Sequence, residues 1–298
     1  HVALVATIAA WLFLKLRVGV GAALAVVLLV AVAAPAYAAF RQNWVLPVLE
    51  LQVAVAACFL MTIGLRLTGE ERERARTRKM FERYLAAPVV AKLLAEDRRP
   101  DLAGETLTLT VLFSDIRGFT TFSEKLNAHE VVEMLNAYFT RVVEPILAQG
   151  GTLDKYIGDA VMAEFGSPVS YPDHARRAVR AALGMAREAE AFKDWMRKRF
   201  PDRGLAEFGV GIGLHTGEAV CGSIGAPMKQ EYTAIGDTVN SASRLEGITK
   251  DLKVVIAVSQ ATLDAAGPGV RTGKRETVTV KGRAEPIVVY EITGIDDA

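Results

Sequence analysis

Apolar residues crowd the first sixty-five positions without any amphipathic period, and beyond them they recur at spacings of two or of three to four. The opening stretch contains three apolar runs, Val2–Leu14, Val18–Phe40 and Val45–Leu65. A helix needs about twenty largely apolar residues to cross a bilayer. The second and third runs reach that length, and the first is too short. Glu50 interrupts the third run, where a charge is expected only at an interface or against another helix. Lys15 and Arg17 separate the first two runs, and Arg66, Arg72, Arg74, Arg76, Arg78 and Lys79 follow the third. Positive residues stay on the cytoplasmic side, so the Arg41–Trp44 loop is expected outside, with Trp44 at the interface. Because the chain opens at His1 in mid-run, an upstream region is expected to be missing, exiting on the outer face where a sensor would sit. Ala36-Tyr37-Ala38 after an apolar core imitates a signal-peptide cleavage site, but apolar runs on both sides favour an anchor.

The character then changes to GEERERARTRK, in which Glu70 and Arg74 have the spacing of a helix-surface ion pair. Phe81, Tyr84 and Leu85 form a short stripe at helical spacing, and Pro88 suits the first turn of a further helix, VVAKLLA. A helical linker that pairs with its copy in a dimer is expected here. Asp97–Gly104 is polar and turn-rich. The segments are therefore a membrane region over 1–66, a signalling linker over 67–104, and a folded domain over 105–298.

Within that domain the pattern alternates between strand and helix. Thr106–Ser114 is β-branched and apolar, as a central strand would be. His129–Leu147 has helical spacing. Thr152–Tyr156 and Ala160–Phe165 flank a tight turn, and Pro172–Phe200 is a long helix. Phe208–His215 and Glu218–Ile224 read as a strand pair turning at Thr216-Gly217. Asp237–Lys250 is a helix that Asp237 could cap, and Val254–Val258, Glu276–Val280 and Pro286–Ile292 are late strands. The order begins β-α-β-β-α-β, the ferredoxin-like α+β arrangement.

Charge and cysteine content narrow the function classes. The formal net charge is +1, and no basic–aromatic tract is present, so no nucleic-acid partner is expected. Two cysteines, Cys58 and Cys221, can build neither a disulfide framework nor a zinc cage.

The chemistry sits at the ends of strands. Asp115 closes the first strand and Asp159 occupies the hairpin tip. If those strands are neighbours, the two carboxylates converge at one sheet edge, and hard oxygen ligands suit magnesium or manganese. Two such ions can activate a hydroxyl and steady a leaving pyrophosphate. Asn240 and Arg244, four apart on a helix, share a face. A guanidinium there offers a planar fork to phosphate oxygens.

FSDIRGFT, LDKYIGDAVMAEFG, VGIGLHTGEAVCGSIG and YTAIGDTVNSASR together resemble the class III adenylyl and guanylyl cyclases. The resemblance spans Thr106–Ile292. With the apolar runs and FERYLAAPVVAKLL, it is similar to bacterial inner-membrane members that carry a CHASE-type sensor upstream. It implies metal binding by Asp115, Asp159 and the Ile116 carbonyl, with two Mg2+ or Mn2+ ions per site. It implies purine reading by Lys155 and Thr233, transition-state contacts by Asn240 and Arg244, and terminal-phosphate binding by Lys281. It further implies a head-to-tail homodimer in which each site draws metals from one protomer and nucleotide contacts from the other.

Adenine presents an acceptor at N1 and a donor at its 6-amino group. A lysine only donates, so Lys155 suits N1 and Thr233 can accept from the amine. Guanylyl members usually carry glutamate and cysteine at these places, and many adenylyl members have aspartate where Thr233 stands. The expected activity is adenylate cyclase, giving cyclic AMP and pyrophosphate from ATP. The alternatives are a guanylate cyclase and a non-catalytic signalling module, against which the full set of site residues stands. A diguanylate cyclase would want a GG(D/E)EF-type turn in place of Ile157-Gly158-Asp159-Ala160.

Overall fold

Alternation in the first domain strand carries through to its pairing. In a computed structural model, which describes residues 2–16, 18–41, 49–50, 52–65, 104–226, 228–278 and 286–296, that segment is β1 (Glu105–Ile116). Leu109 and Val111 point to one face of the sheet and Leu112 to the other, where they enter separate apolar clusters. Residue contacts divide the chain into two units, His1–Phe81 and Glu82–Ala298.

In the first unit, α1 (Val2–Lys15), α2 (Val18–Phe40) and α3 (residues 52–65) bury Phe13, Ala25 and Val55 against one another. Phe13 and Phe59 meet edge-on, with centroids 5.3 Å apart. Trp11, Val26, Val27, Val30, Leu60 and Met61 are exposed. Among the described residues no helix is long and apolar enough to cross a membrane, so the membrane spans expected from the sequence are not found. The expected linker and its boundary lie almost wholly outside the described residues.

The second unit continues from β1 into α4 (Phe119–Lys125) and α5 (Ala128–Ala148), then β2 (Thr152–Ile157), β3 (Ala160–Phe165) and α6 (His174–Arg199). β4 (Val210–Ala226), β5 (Lys229–Ile235), α7 (Asp237–Leu252), β6 (Ile256–Ser259), α8 (Gln260–Ala266), β7 (Val270–Val278) and β8 (Ile287–Ile295) complete it. Asn127 and Glu130 close a reciprocal capping box at the start of α5, with bonds of 3.0 and 2.9 Å. The sheet order is β2-β3-β1-β4-β6-β8-β7, with β5 pairing β4 off the path. Neighbours among the first four strands are antiparallel, in the order expected of βαββαβ, and β4–β6 is parallel. The sheet is therefore mixed. One face carries the apolar side chains of α5 and α6, including Tyr138, Met185 and Phe192. Ala242 of α7 joins the cluster on the opposite face.

Two expectations are corrected. Thr216-Gly217 is not a turn: β4 runs unbroken through it for 17 residues. That strand pairs β1 from Val210 to Cys221 and β5 from Val220 to Ala226, and β5 is a strand the pattern did not reveal. A Cβ at Gly217 would lie 2.7 Å from Thr238 Oγ1, so close approach, not turning, favours glycine there. Asp237 does not cap α7. Gly236 holds that position, without a side-chain cap bond.

Gly211 and Gly213 lie two apart and face α7. A Cβ at Gly213 would meet the Glu246 backbone N at 2.1 Å and the Ala242 carbonyl oxygen at 2.5 Å. Backbone cannot rotate aside as a flexible side chain can. Gly213→Ala is therefore expected to lift α7 from the sheet at a cost of about 3 kcal/mol or more. An unchanged urea midpoint in that variant would contradict this packing.

Candidate active site

Register brings the two aspartates together. β1 pairs β3 with Ser114 opposite Val161, so the next residue, Asp115, comes level with the β2–β3 turn that carries Asp159. Gly158 has φ 65° there, and Gly118, ahead of α4, has φ 67°. These left-handed conformations cost glycine least. They let the chain fold back at both carboxylates.

The pair is electrostatically frustrated. Burial, then a hydrogen bond and charge repulsion from Asp115, push the Asp159 carboxyl up to about 7. Asp115 Oδ1 accepts from the Ile116 N–H at 3.0 Å, and Asp159 Oδ2 is buried with no hydrogen-bond partner. A buried, unpartnered carboxylate oxygen beside a second carboxylate fits a site completed by a cation. Among the described residues no group of three or more His, Cys, Asp or Glu side chains could hold a metal. Water, phosphate or a backbone carbonyl would have to supply the remaining ligands.

Glu246 of α7 faces the same region, a placement the sequence did not disclose. Burial raises its carboxyl to about 7, helped by the charges of Asp115 and Asp159 and opposed by Arg117. Arg117 donates to the carbonyls of Thr249 and Val254, tying the segment after β1 to the end of α7.

Lys155 and Thr233, far apart in sequence, are gathered on one carboxylate. The Thr233 hydroxyl donates to Asp154 Oδ2, and Lys155 Nζ lies 3.5 Å from Asp154 Oδ1 and 2.7 Å from Glu231 Oε2. Burial pulls the Lys155 ammonium down, but the bond to Glu231 and both acidic charges outweigh it, and its pKa is raised. Asn240 is exposed on α7, and Arg244 one turn on is half-buried. Arg244 Nη1 is buried without a hydrogen-bond partner, so it has donor capacity to spare. Lys281 lies outside the described residues.

Residues 103–294 match the family model of the adenylate and guanylate cyclase catalytic domain, almost the same span as the fold just described. The chain belongs to this family. Adenylate cyclase 1 of Rhizobium meliloti (strain 1021) is 38% identical over 215 residues, covering 72% of this chain and 32% of that protein. The adenylate cyclase of Anabaena cylindrica is 36% identical over 193 residues, covering 64% of this chain and 38% of that protein. The match thus takes in about a third of the length of these curated relatives. Among solved structures, the adenylyl cyclase CyaB from P. aeruginosa superposes with a TM-score of 0.57 at 32% identity, covering 64% of this chain and 97% of that one. The guanylyl cyclase Cya2 does so with a TM-score of 0.60 at 35% identity, covering 65% and 96%. The cyclase domain here is the class III catalytic fold.

Proposed function

We propose that this cyclase domain converts ATP to 3′,5′-cyclic AMP and pyrophosphate. The observation that carries this reading is the convergence of Asp115 and Asp159, with one buried carboxylate oxygen left unpartnered. In the reaction the ribose 3′-oxygen bonds to the α-phosphorus, the bond from that phosphorus to the bridging oxygen breaks, and pyrophosphate leaves. The hydroxyl proton passes to solvent, since no side chain stands out as its acceptor. Asp115, Asp159 and the Ile116 carbonyl would hold two Mg2+ or Mn2+ ions, which polarise the hydroxyl and neutralise the departing charge. Arg244, with its spare N–H, stabilises the charge that builds on the α-phosphoryl oxygens. Asn240 orients the ribose, Lys155 donates to adenine N1, Thr233 accepts from the 6-amino group, and Lys281 meets the terminal phosphates.

The active unit is a homodimer in which the metal-holding residues of one protomer face the nucleotide-reading residues of its partner. Apolar Tyr156 and Ile157 of β2 and Ile235 of β5 are exposed on the strands that carry Lys155 and Thr233, and Val220 is exposed on β4 beside them, as an uncovered interface would leave them. A membrane anchor is also proposed, with the catalytic domain on the cytoplasmic side. It rests on the apolar runs of the sequence, on the exposed apolar side chains of the first unit, and on the basic residues that follow.

The test is cyclic-nucleotide formation by detergent-purified protein with Mn2+, assayed separately with ATP and GTP. Cyclic AMP from ATP is the expected product. Predominant cyclic GMP would favour the guanylate reading, which the similarity to Cya2 keeps in play. No product from a demonstrated dimer would point to a signalling module.

A further inference from the structure

The side chain that joins Lys155 to Thr233 is Asp154, whose side chain is only 2% exposed. It stands at a bulge where the β2–β3 register shifts between Leu153 and Lys155. The bulge lets consecutive residues both reach the β5 side, with Asp154 meeting Thr233 and Lys155 meeting Glu231. Next to it Glu164 of β3 is buried, and its Oε1 accepts from the Ala234 N–H at 2.8 Å. Burial first, then the charge of Asp154 and a hydrogen bond with it, hold the Glu164 carboxyl well above the usual range. The acceptor for the Thr233 hydroxyl in this cluster is Asp154 Oδ2.

We propose that Asp154 is a positioning residue for base selection. It accepts the hydrogen bond that the Thr233 hydroxyl donates and so leaves the Thr233 oxygen able only to accept from the base. A hydroxyl has one proton and two lone pairs. With its proton spent on Asp154, Thr233 matches the 6-amino group of adenine and opposes the 6-carbonyl of guanine. A free threonine hydroxyl would rotate and donate to that carbonyl, and discrimination would fall. Thr233 would then reproduce, through the carboxylate behind it, the acceptor that an aspartate would supply directly. The proposal rests on the purine reading of Lys155 and Thr233 above.

The test uses the full 298-residue chain and compares kcat/KM for ATP and for GTP under one Mn2+ concentration. The ratio of the two cancels the fraction of protein that is folded. The variants are Asp154→Asn, Thr233→Val and their combination. An asparagine amide can donate to the Thr233 oxygen and free its proton, so Asp154→Asn is expected to lower the ATP/GTP ratio about tenfold. Thr233→Val is expected to lower it as well, and adding Asp154→Asn to that variant should change the ratio no further.

Equal losses with ATP and GTP in Asp154→Asn, while Thr233→Val alters the ratio, would make Asp154 merely structural and overturn the proposal. A change that persists in the Thr233→Val background would belong to Lys155 and overturn it too. An unaltered ratio in Thr233→Val would sink the purine reading itself, and the proposal with it. Where turnover is too low, the affinity ratio for 3′-deoxy-ATP and 3′-deoxy-GTP, which lack the attacking hydroxyl, reads the same preference. Should Asp154→Asn not fold, Asp154→Ser removes the same fixed acceptor and carries the same expectation.

Discussion

Asp159→Ala is expected to abolish cyclic-nucleotide formation, by about a thousandfold or more, without lowering thermal stability. A loss of that size corresponds to about 4 kcal/mol of transition-state stabilisation, a reasonable share for a carboxylate proposed to help hold the catalytic metal. The stability side follows from the site itself. The Asp159 carboxyl is raised by burial and by Asp115, so in the metal-free protein its ionised form is strained rather than stabilised. Removing it relieves repulsion, and most substitutions at a well-satisfied buried group would do the opposite. Mn2+ should raise the unfolding temperature of the parent protein, because an ion that binds only the folded state stabilises it by mass action. It should leave Asp159→Ala unmoved. Full activity in the variant, or an Mn2+ shift that survives the substitution, would remove Asp159 from the metal site.

Mixing Asp159→Ala with Arg244→Ala is expected to restore activity that neither variant has alone. If each site takes its aspartates from one protomer and its arginine from the other, a mixed dimer contains one intact site and one doubly damaged site. Random pairing makes half of the dimers mixed, so about a quarter of the parental sites should return. The arginine loss alone should be severe. In the proposed reaction its guanidinium meets charge that develops only in the transition state, and Nη1 is buried without a hydrogen-bond partner. Absence of rescue, with mixed dimers demonstrated by differently tagged chains, would argue for sites complete within one protomer.

Both experiments concern residues whose proposed roles come from the sequence. Asp115 and Asp159 stand at the ends of apolar strand-like runs, and the βαββαβ order already implied that those strands are neighbours. The register of β1 on β3 bears out that adjacency. Helix positions were equally legible. α5 and α6 repeat their apolar residues every three or four positions, and the observed bounds differ from expectation by only a residue or two. Periodicity reports burial directly, so it reads well wherever one face alone is covered.

β4 shows where that reading fails. Every position from Val210 to Thr216 is buried, so the alternation that marks a strand's length is lost. Thr216-Gly217 then looked like a break. The glycine answers to Thr238 on α7 instead, a contact between residues distant in sequence. Glu164 is similar. A glutamate within AVMAEF has no local explanation, and only the approach of β5 supplies its partner at Ala234.

The sequence by itself determined the periodic elements, their order, and the residue types able to bind metal, phosphate and purine, because these follow from local spacing and side-chain chemistry. The tertiary structure alone decided that Asp154 stands between Lys155 and Thr233, that Glu246 overlooks the two aspartates, and that β4 runs unbroken under α7. Each of these depends on segments far apart in the chain meeting at a particular register, which local sequence does not encode.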